Sequence, residues 1–228
     1  MSSAMIRTTI RDILAALDFL HTEAEVIYTD IQPNNILLGI KNESILADFE
    51  QAGVEAPMPR KTLEDRTIYV TRPLPISYGT PVLCDLGKGR IGTGNQRGDI
   101  MPDLYRAPEV DIWNVGMVIW DLFEHHHLFR ARYEDRRLND EIHLAEMHAV
   151  LRKPPEFLAR SKALFFGMGM GSIPLPNCTL ETLEERLKGK EQENFLRLLR
   201  RMLCWRPEQR ATVKQLIFDP WLMQGLFK

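Results

Sequence analysis

The chain is predicted to be an α+β protein, mainly helical, with a few short strands in its first half. Three observations carry this. Apolar residues recur at helical spacing near the N-terminus, residues 110–124 are apolar nearly all round, and the strand-like runs are short and bounded by Pro, Gly or Asn. A length of 228 residues fits one large domain or two small ones. With 44% hydrophobic and 26% charged residues, the mix is globular and argues against wholesale disorder.

The elements follow in order. Over residues 4–21, Ile6, Ile10, Ile13, Leu14, Leu17 and Leu20 fall three or four apart, which puts them on one face of a helix. Residues 35–40 are apolar after Pro33 and read as a strand. Residues 67–71 and 81–84 read as further strands, and the Pro-rich stretch 56–81 reads as an irregular surface insertion. Residues 88–103, rich in Gly, Arg, Asn and Asp, read as a long loop. The second half is helical: a buried helix over 110–124, then more amphipathic helices over 141–152 and 193–204. Thr212 and Gln215 have capping-box spacing, ahead of a short final helix that stops near Pro220. No internal repeat is present.

Composition excludes several function classes. Lys+Arg 29 against Asp+Glu 31 gives a net charge of -2, unlike the basic footprint of a nucleic-acid binder. No apolar run is long enough to span a bilayer, and the N-terminus lacks the apolar stretch of a signal peptide. Cys84, Cys178 and Cys204 are odd in number, far apart and without a Cys-x-x-Cys pair. That pattern fits reduced thiols in the cytoplasm or nucleus better than a disulfide framework or zinc knuckle.

Three pieces carry chemistry. Tyr28-Thr29-Asp30-Ile31-Gln32-Pro33-Asn34-Asn35 follows a helix and precedes a strand. Leu83-Cys84-Asp85-Leu86-Gly87 ends a strand and opens a loop, and Tyr105-Arg106-Ala107-Pro108-Glu109 closes that loop. Taken singly, Asp30 and Asn35 read as turn residues, Asp85 as a cap and Ala-Pro-Glu as chance. Together and in order they resemble the protein kinase signature: a catalytic loop with Asp-x-x-x-x-Asn, an Asp-Phe-Gly-type metal motif, then Ala-Pro-Glu. The strings VDIWNVGMVIWDLFE, HLAEM and CWRPEQRATVKQLIFDPWL resemble the SR-protein kinase family, in particular its fungal members.

That resemblance spans nearly the whole chain and has definite implications. The fold would be the large C-terminal lobe of a kinase domain over residues 1–228, with a family-type insertion at 41–80 before the metal motif. The small N-terminal lobe would be missing, since only one helix precedes Asp30 and no lysine occurs before Lys41. ATP and Mg2+ would be the cofactors, and Arg/Ser-rich proteins the substrates. Asp30 would orient the substrate hydroxyl, with Gln32 beside the transferring phosphate, while Asn35 and Asp85 would hold the metal and nucleotide. Gly87 would let the backbone turn after the metal ligand. Glu109 would pair with Arg210, and Asp111 would hydrogen-bond the catalytic-loop backbone.

The sequence also departs from the family pattern. Gln32 stands where most kinases carry a lysine, which removes a positive charge from the transferring phosphate. Thr29 replaces an arginine, which implies activity independent of loop phosphorylation. Tyr28 replaces a histidine and is expected to affect packing rather than chemistry. Only Val110 separates Glu109 from Asp111, and two residues span at most ~7 Å. Either the loop end is drawn inward or the buried helix starts later. Without the small lobe, the chain is expected to have little or no kinase activity. The alternatives are a non-catalytic module that binds kinase substrates or partners, and a truncated or mis-spliced product without independent function.

Other features read as structural. His125-His126-His127 reads as a solvated helix end, since consecutive residues share no helix face. Asp48-Phe49-Glu50 reads as a turn or helix start. Arg197, Arg200 and Arg201 read as a solvated basic surface. Asp121 and Glu124 read either as polar residues of the buried helix or as contacts for an Arg-rich substrate, the first being favoured, and Cys84 reads as a packed strand residue. The Gly92-Thr93-Gly94 and 167–171 runs read as plain loops, because neither has a strand before it and a helix after it.

Overall fold

The computed structural model describes residues 2–75, 77, 79–92, 111–132, 139–152 and 175–225. The motif at 105–109, with Glu109 and its expected pairing to Arg210, lies outside the described residues, as do Thr93, Gly94 and the run at 167–171. The described chain is mainly helical with short two-stranded ladders. It divides into two compact units, Met1–Asn35 with Leu83–Lys228, and Ile36–Val82.

The first unit is built on helix α1 (Ser3–Thr22). Ser2 caps it: the serine Oγ accepts the Met5 N–H, satisfying a donor that has no partner inside the helix. Its buried face is Ile6, Thr9, Ile10, Ile13, Leu14 and Leu17. Each of the aliphatic members contributes about 2 kcal/mol of burial. Strand β1 (Val26–Ile27) then pairs antiparallel with β6 (Arg90–Ile91), Val26 opposite Ile91 and Ile27 opposite Arg90.

Helix α3 (Asp111–Glu124) is buried at every position from Trp113 to Trp120. Gly116 lets it pack closely: a Cβ there would lie 3.0 Å from the side chain of Leu203. Helix α4 (Asp140–Leu151) is capped by Asn139, whose Oδ1 accepts the Ile142 N–H at 2.8 Å. Helix α5 (Leu180–Leu183) carries a capping box on Thr179. Helix α6 (Gly189–Met202) starts earlier than the spacing predicts and buries Phe195, Leu196, Leu198, Leu199 and Met202. The Thr212–Gln215 capping box opens helix α7 (Val213–Ile217).

That helix stops before Pro220, as expected, but it is not the last one. Pro220 instead opens helix α8 (Pro220–Met223), where its missing N–H costs nothing. Asp219 caps it by accepting the Trp221 N–H at 3.0 Å. Helix α1 packs on α3, α7 and α8, and α6 packs on α3 and α8. At the centre of these contacts the Phe195 ring lies 4.8 Å from Phe123 and 5.0 Å from Trp221.

The basic face of α6 is solvated, as read, and its arginines also pair with acids. Arg201 Nη1 lies 2.6 Å from Asp219 Oδ2, Arg197 Nη2 lies 3.8 Å from Asp219 Oδ1, and Arg200 pairs with Glu181. Asp219 is fully buried, so these arginines neutralise a carboxylate that would otherwise be costly inside the protein.

The second unit contains the stretch read as an irregular insertion, and it is more regular than that. Strand β2 (Ile36–Leu38) forms a two-stranded ladder with β5 (Pro81–Leu83). Helix α2 (Ser44–Glu55) runs straight through Asp48-Phe49-Glu50. Its half-buried residues Ile45, Phe49 and Ala52 have helical spacing, but no side chain caps it and none of its residues is fully buried. Strands β3 (Arg60–Thr62) and β4 (Thr67–Tyr69) form a hairpin with Arg60 opposite Tyr69. The strand expected over 35–40 is shorter because Asn35 belongs to a 3-10 turn, Pro33–Asn35.

Candidate active site

The site lies in the first unit, where the segment after α1 meets the segment after β5. Asp30 is its centre, with only 3% of its side chain exposed. Asn35 Nδ2 donates to the Asp30 backbone carbonyl at 2.9 Å and to Asp30 Oδ2 at 3.3 Å. Gln32 Nε2 lies 3.4 Å from Asp30 Oδ1, a long contact. Five residues of loop thus close on themselves, with the amide of Asn35 fastening the turn that carries Asp30.

Asp85 is brought to this loop through the backbone. The Cys84 N–H donates to the Asn35 carbonyl at 3.0 Å, which joins the residue before Asp85 to the residue that closes the Asp30 turn. Cys84 Sγ also lies 3.4 Å from that carbonyl, so Cys84 is part of the junction as well as a half-buried residue beyond β5. Asp85 has φ 62°, the left-handed region, and its Oδ1 accepts the Gly87 N–H at 3.3 Å.

This corrects the role expected of Gly87. The sharp turn is made by Asp85 itself; Gly87 is not in the left-handed region. Gly87 instead provides room, since a Cβ there would sit 3.1 Å from Asp85 Oδ1.

Asp111 stands at the first residue of α3, so the buried helix does not start later. The carboxylate is fully buried. Its Oδ1 accepts the Thr29 N–H at 2.7 Å, and its Oδ2 accepts the Tyr28 N–H at 2.8 Å and faces His21 Nε2 at 2.7 Å. Thr29 is itself left-handed, with φ 69°, a conformation that needs such bonds to persist in a β-branched residue. His21, in the last turn of α1, carried no signal in the sequence; only the folded chain brings it to a residue 90 positions away.

Tyr28 does more than pack. Its hydroxyl donates to the Cys84 carbonyl, a second tie between the catalytic loop and the segment bearing Asp85. Burial, and then the negative groups Cys84, Asp30, Asp85 and Asp111, push the phenol up to about 12. An unfolded tyrosine ionises near pH 10. Between these values the unfolded chain releases a proton that the folded chain keeps, so this contribution to stability is whole below about pH 10 and is lost as pH rises toward 12. The fall in Tm over that interval is therefore expected to be shallower in Tyr28→Phe than in the parent. Equal slopes in the two proteins would contradict it.

Lys88 was also missed. Its Nζ lies 3.2 Å from Asp30 Oδ2, and its backbone carbonyl accepts the Thr29 hydroxyl at 2.8 Å. Thr29 therefore binds the segment after Gly87 from the position where an arginine was expected.

Other candidates lie apart from this cluster. Arg210 donates twice to the Cys204 carbonyl, at 3.1 and 3.0 Å, and its guanidinium stands 5.2 Å from the Trp113 ring centroid. His125, His126 and His127 are exposed just past α3, with His127 Nδ1 2.8 Å from Asp121 Oδ2. Burial, and then the Glu184 carboxylate, push the Glu124 carboxyl up.

The donor set suits a hard cation with few protein ligands. Among the described residues no three His, Cys, Asp or Glu side chains form a metal cluster. Asn35 directs its amide nitrogen to Asp30, which leaves its oxygen as the atom a cation could use, and Asp85 is exposed. Two oxygen ligands with water and phosphates completing the shell is how magnesium is commonly held. A buried carboxylate beside such a cation is equipped to position a hydroxyl for phosphoryl transfer.

Comparisons with known proteins show the family and the fold. The protein kinase domain family matches residues 100–222, more than half of the chain. A serine/threonine protein kinase of Aspergillus fumigatus is 38% identical over 240 residues, covering 96% of this chain and 58% of the relative. The serine/threonine-protein kinase SRPK of Physarum polycephalum is 23% identical over 261 residues, covering 96% of this chain and 60% of the relative. The chain thus spans about three-fifths of the length of these relatives. Among solved structures, the crystal structure of a kinase domain superposes with TM-score 0.66 at 19% identity, covering 97% of this chain and 66% of the other. The shared fold is kinase-like and mainly helical.

Proposed function

The chain belongs to the protein kinase family, and from that membership we propose that it transfers the γ-phosphoryl group of ATP to serine in Arg/Ser-rich proteins. The observation that carries the reading is the joining of Asp30, Asn35 and the Asp85 segment by the Asn35 amide and the Cys84 N–H. The narrower assignment to SR-protein kinases rests on the local wording of the buried helix and of residues 204–222, with the Physarum relative as weaker support.

Asn35 and Asp85 are the residues that would hold magnesium, which neutralises phosphate charge when bound. Asp30 accepts the hydrogen bond of the serine hydroxyl and aims its oxygen at the γ-phosphorus. The new O–P bond forms as the bond to the bridging oxygen breaks, ADP leaves, and the hydroxyl proton passes to Asp30. Thr29, tied to Lys88 rather than available to a phosphate, supports a site assembled without loop phosphorylation.

The test is incubation of the full protein with magnesium-ATP and a synthetic Arg/Ser-repeat peptide, with phosphate incorporation followed by mass spectrometry. Weak incorporation on serine is expected, falling about 10²-fold or more in Asp85→Asn. No incorporation, or equal incorporation in the variant, overturns the reading. A second reading, a non-catalytic module that binds such segments, is favoured by the enclosure of the Asp30 carboxylate among Gln32, Asn35 and Lys88. Peptide binding without phosphate incorporation would select it.

A further inference from the structure

The catalytic loop lacks a cation where the transferring phosphate needs one. Gln32 offers only an uncharged amide, and that amide already faces Asp30 at 3.4 Å. A transferring phosphoryl group spreads negative charge over its equatorial oxygens, and a site without a nearby positive side chain stabilises it poorly.

The structure places a lysine in that neighbourhood from a different segment. Lys88 Nζ is 3.2 Å from Asp30 Oδ2, whereas most of its side chain, 62%, is exposed. Its backbone is held on three sides. The Lys88 carbonyl takes the Thr29 hydroxyl, the following Gly89 N–H returns to the Leu86 carbonyl at 2.9 Å, and Arg90 begins the ladder to β1. The backbone that carries Lys88 is therefore fixed, and a flexible four-carbon stem reaches from it to Asp30. An ammonium carries three donors, and the Asp30 oxygen engages one of them. The others remain for an anion approaching Asp30.

We propose that Lys88 is the phosphate-binding cation of this site, replacing the charge that position 32 lacks. Resting on the phosphotransfer reading above, the inference assigns the residue that receives the γ-phosphate. The sequence order differs from the usual one, with the cation three residues after the metal-binding Asp85 instead of two after Asp30, yet both routes end beside the same carboxylate. In the transfer step Lys88 loses no proton and forms no bond. It hydrogen-bonds the phosphoryl oxygens while the serine oxygen bonds to phosphorus and ADP departs.

The test compares the full protein with Lys88→Met, Lys88→Arg, Gln32→Lys and the double variant Gln32→Lys/Lys88→Met. Two readouts are used: kcat and KM on the Arg/Ser peptide, and the calorimetric Kd of magnesium-ATP against that of magnesium-ADP. In Lys88→Met, kcat should fall about 10²-fold with a smaller change in peptide KM. Its preference for ATP over ADP should shrink about tenfold, the loss of one charge-assisted hydrogen bond. Lys88→Arg should keep much of both, and adding Gln32→Lys to Lys88→Met should restore them.

If the parent transfers phosphate and Lys88→Met matches it in both readouts, the inference fails while the kinase reading stands. A rise in kcat on losing Lys88 would also overturn it, showing that the lysine blocks Asp30 instead of serving the phosphate. If the parent neither transfers phosphate nor binds magnesium-ATP, the kinase reading fails and this inference with it. A matching thermal melt for Lys88→Met separates loss of function from loss of fold.

Discussion

Asp111→Ala should cost about 4 kcal/mol of stability and disorganise the catalytic loop, measured by urea denaturation. The physical reason lies in what the carboxylate satisfies. It is fully buried, and it accepts the backbone N–H groups of Tyr28 and Thr29 at 2.8 and 2.7 Å. Alanine leaves both of these buried donors without a partner, and each unpaired group costs about 1–3 kcal/mol. It also takes away the contact of His21. Thr29 would then lose the bond that holds its left-handed backbone, so Asp30, the next residue, would lose its fixed direction. Asp111→Asn should be milder, about 2 kcal/mol, because one oxygen remains to accept while the amide meets a donor. A loss under about 1 kcal/mol for the alanine variant would show that water replaces the carboxylate and that the loop does not depend on it.

Phe195→Ala should destabilise by about 3–5 kcal/mol, the cost of deleting a fully buried aromatic ring. The ring is 0% exposed and contacts Phe123 on α3 and Trp221 on α8. Two further contacts limit how far the site can collapse. Phe123 and Trp221 are themselves edge-to-face at 6.2 Å, and the Arg7 guanidinium lies 4.8 Å from the Trp221 ring centroid. Those neighbours hold one another in place, so a cavity remains rather than closing. Phe195→Leu should recover about half of the loss by refilling volume without the ring contacts. The same denaturation curves decide it. A shift near zero for Phe195→Ala would mean that α6 contributes little to the folded core.

Much of the fold was legible because burial imposes a period on the sequence. The face of α1 and the continuous apolar run of α3 follow directly from which residues must avoid water. Capping is equally local: Thr212 and Gln215 lie three apart, and the box they form needs nothing from the rest of the chain. Helix α2 was hidden for the converse reason. It buries no residue fully and has no side-chain cap, so its three half-buried residues made too weak a pattern. Pro220 marked the end of the Val213–Ile217 helix correctly, but a proline at a first position also starts a helix, and that one went unread.

The candidate site divides along the same line. Asp30, Asn35, Asp85 and Asp111 could be named from the sequence because their chemistry needs oxygen atoms at set spacings along short loops, and spacing is what a sequence records. Their partners could not. His21 reaches Asp111, Tyr28 reaches the Cys84 carbonyl, and Lys88 reaches Asp30 across 56 to 90 residues of chain. Nothing local encodes those meetings. The sequence by itself determined which residues fill the core and which oxygen-bearing residues are candidates for a site, since these are properties of side chains and their period. Only the tertiary structure decided that Asp85 makes its own turn, that Arg201 neutralises a buried carboxylate and that a lysine stands against Asp30. The first is a local backbone conformation that residue type does not announce, and the other two depend on segments apart in the chain being held together by the folded core.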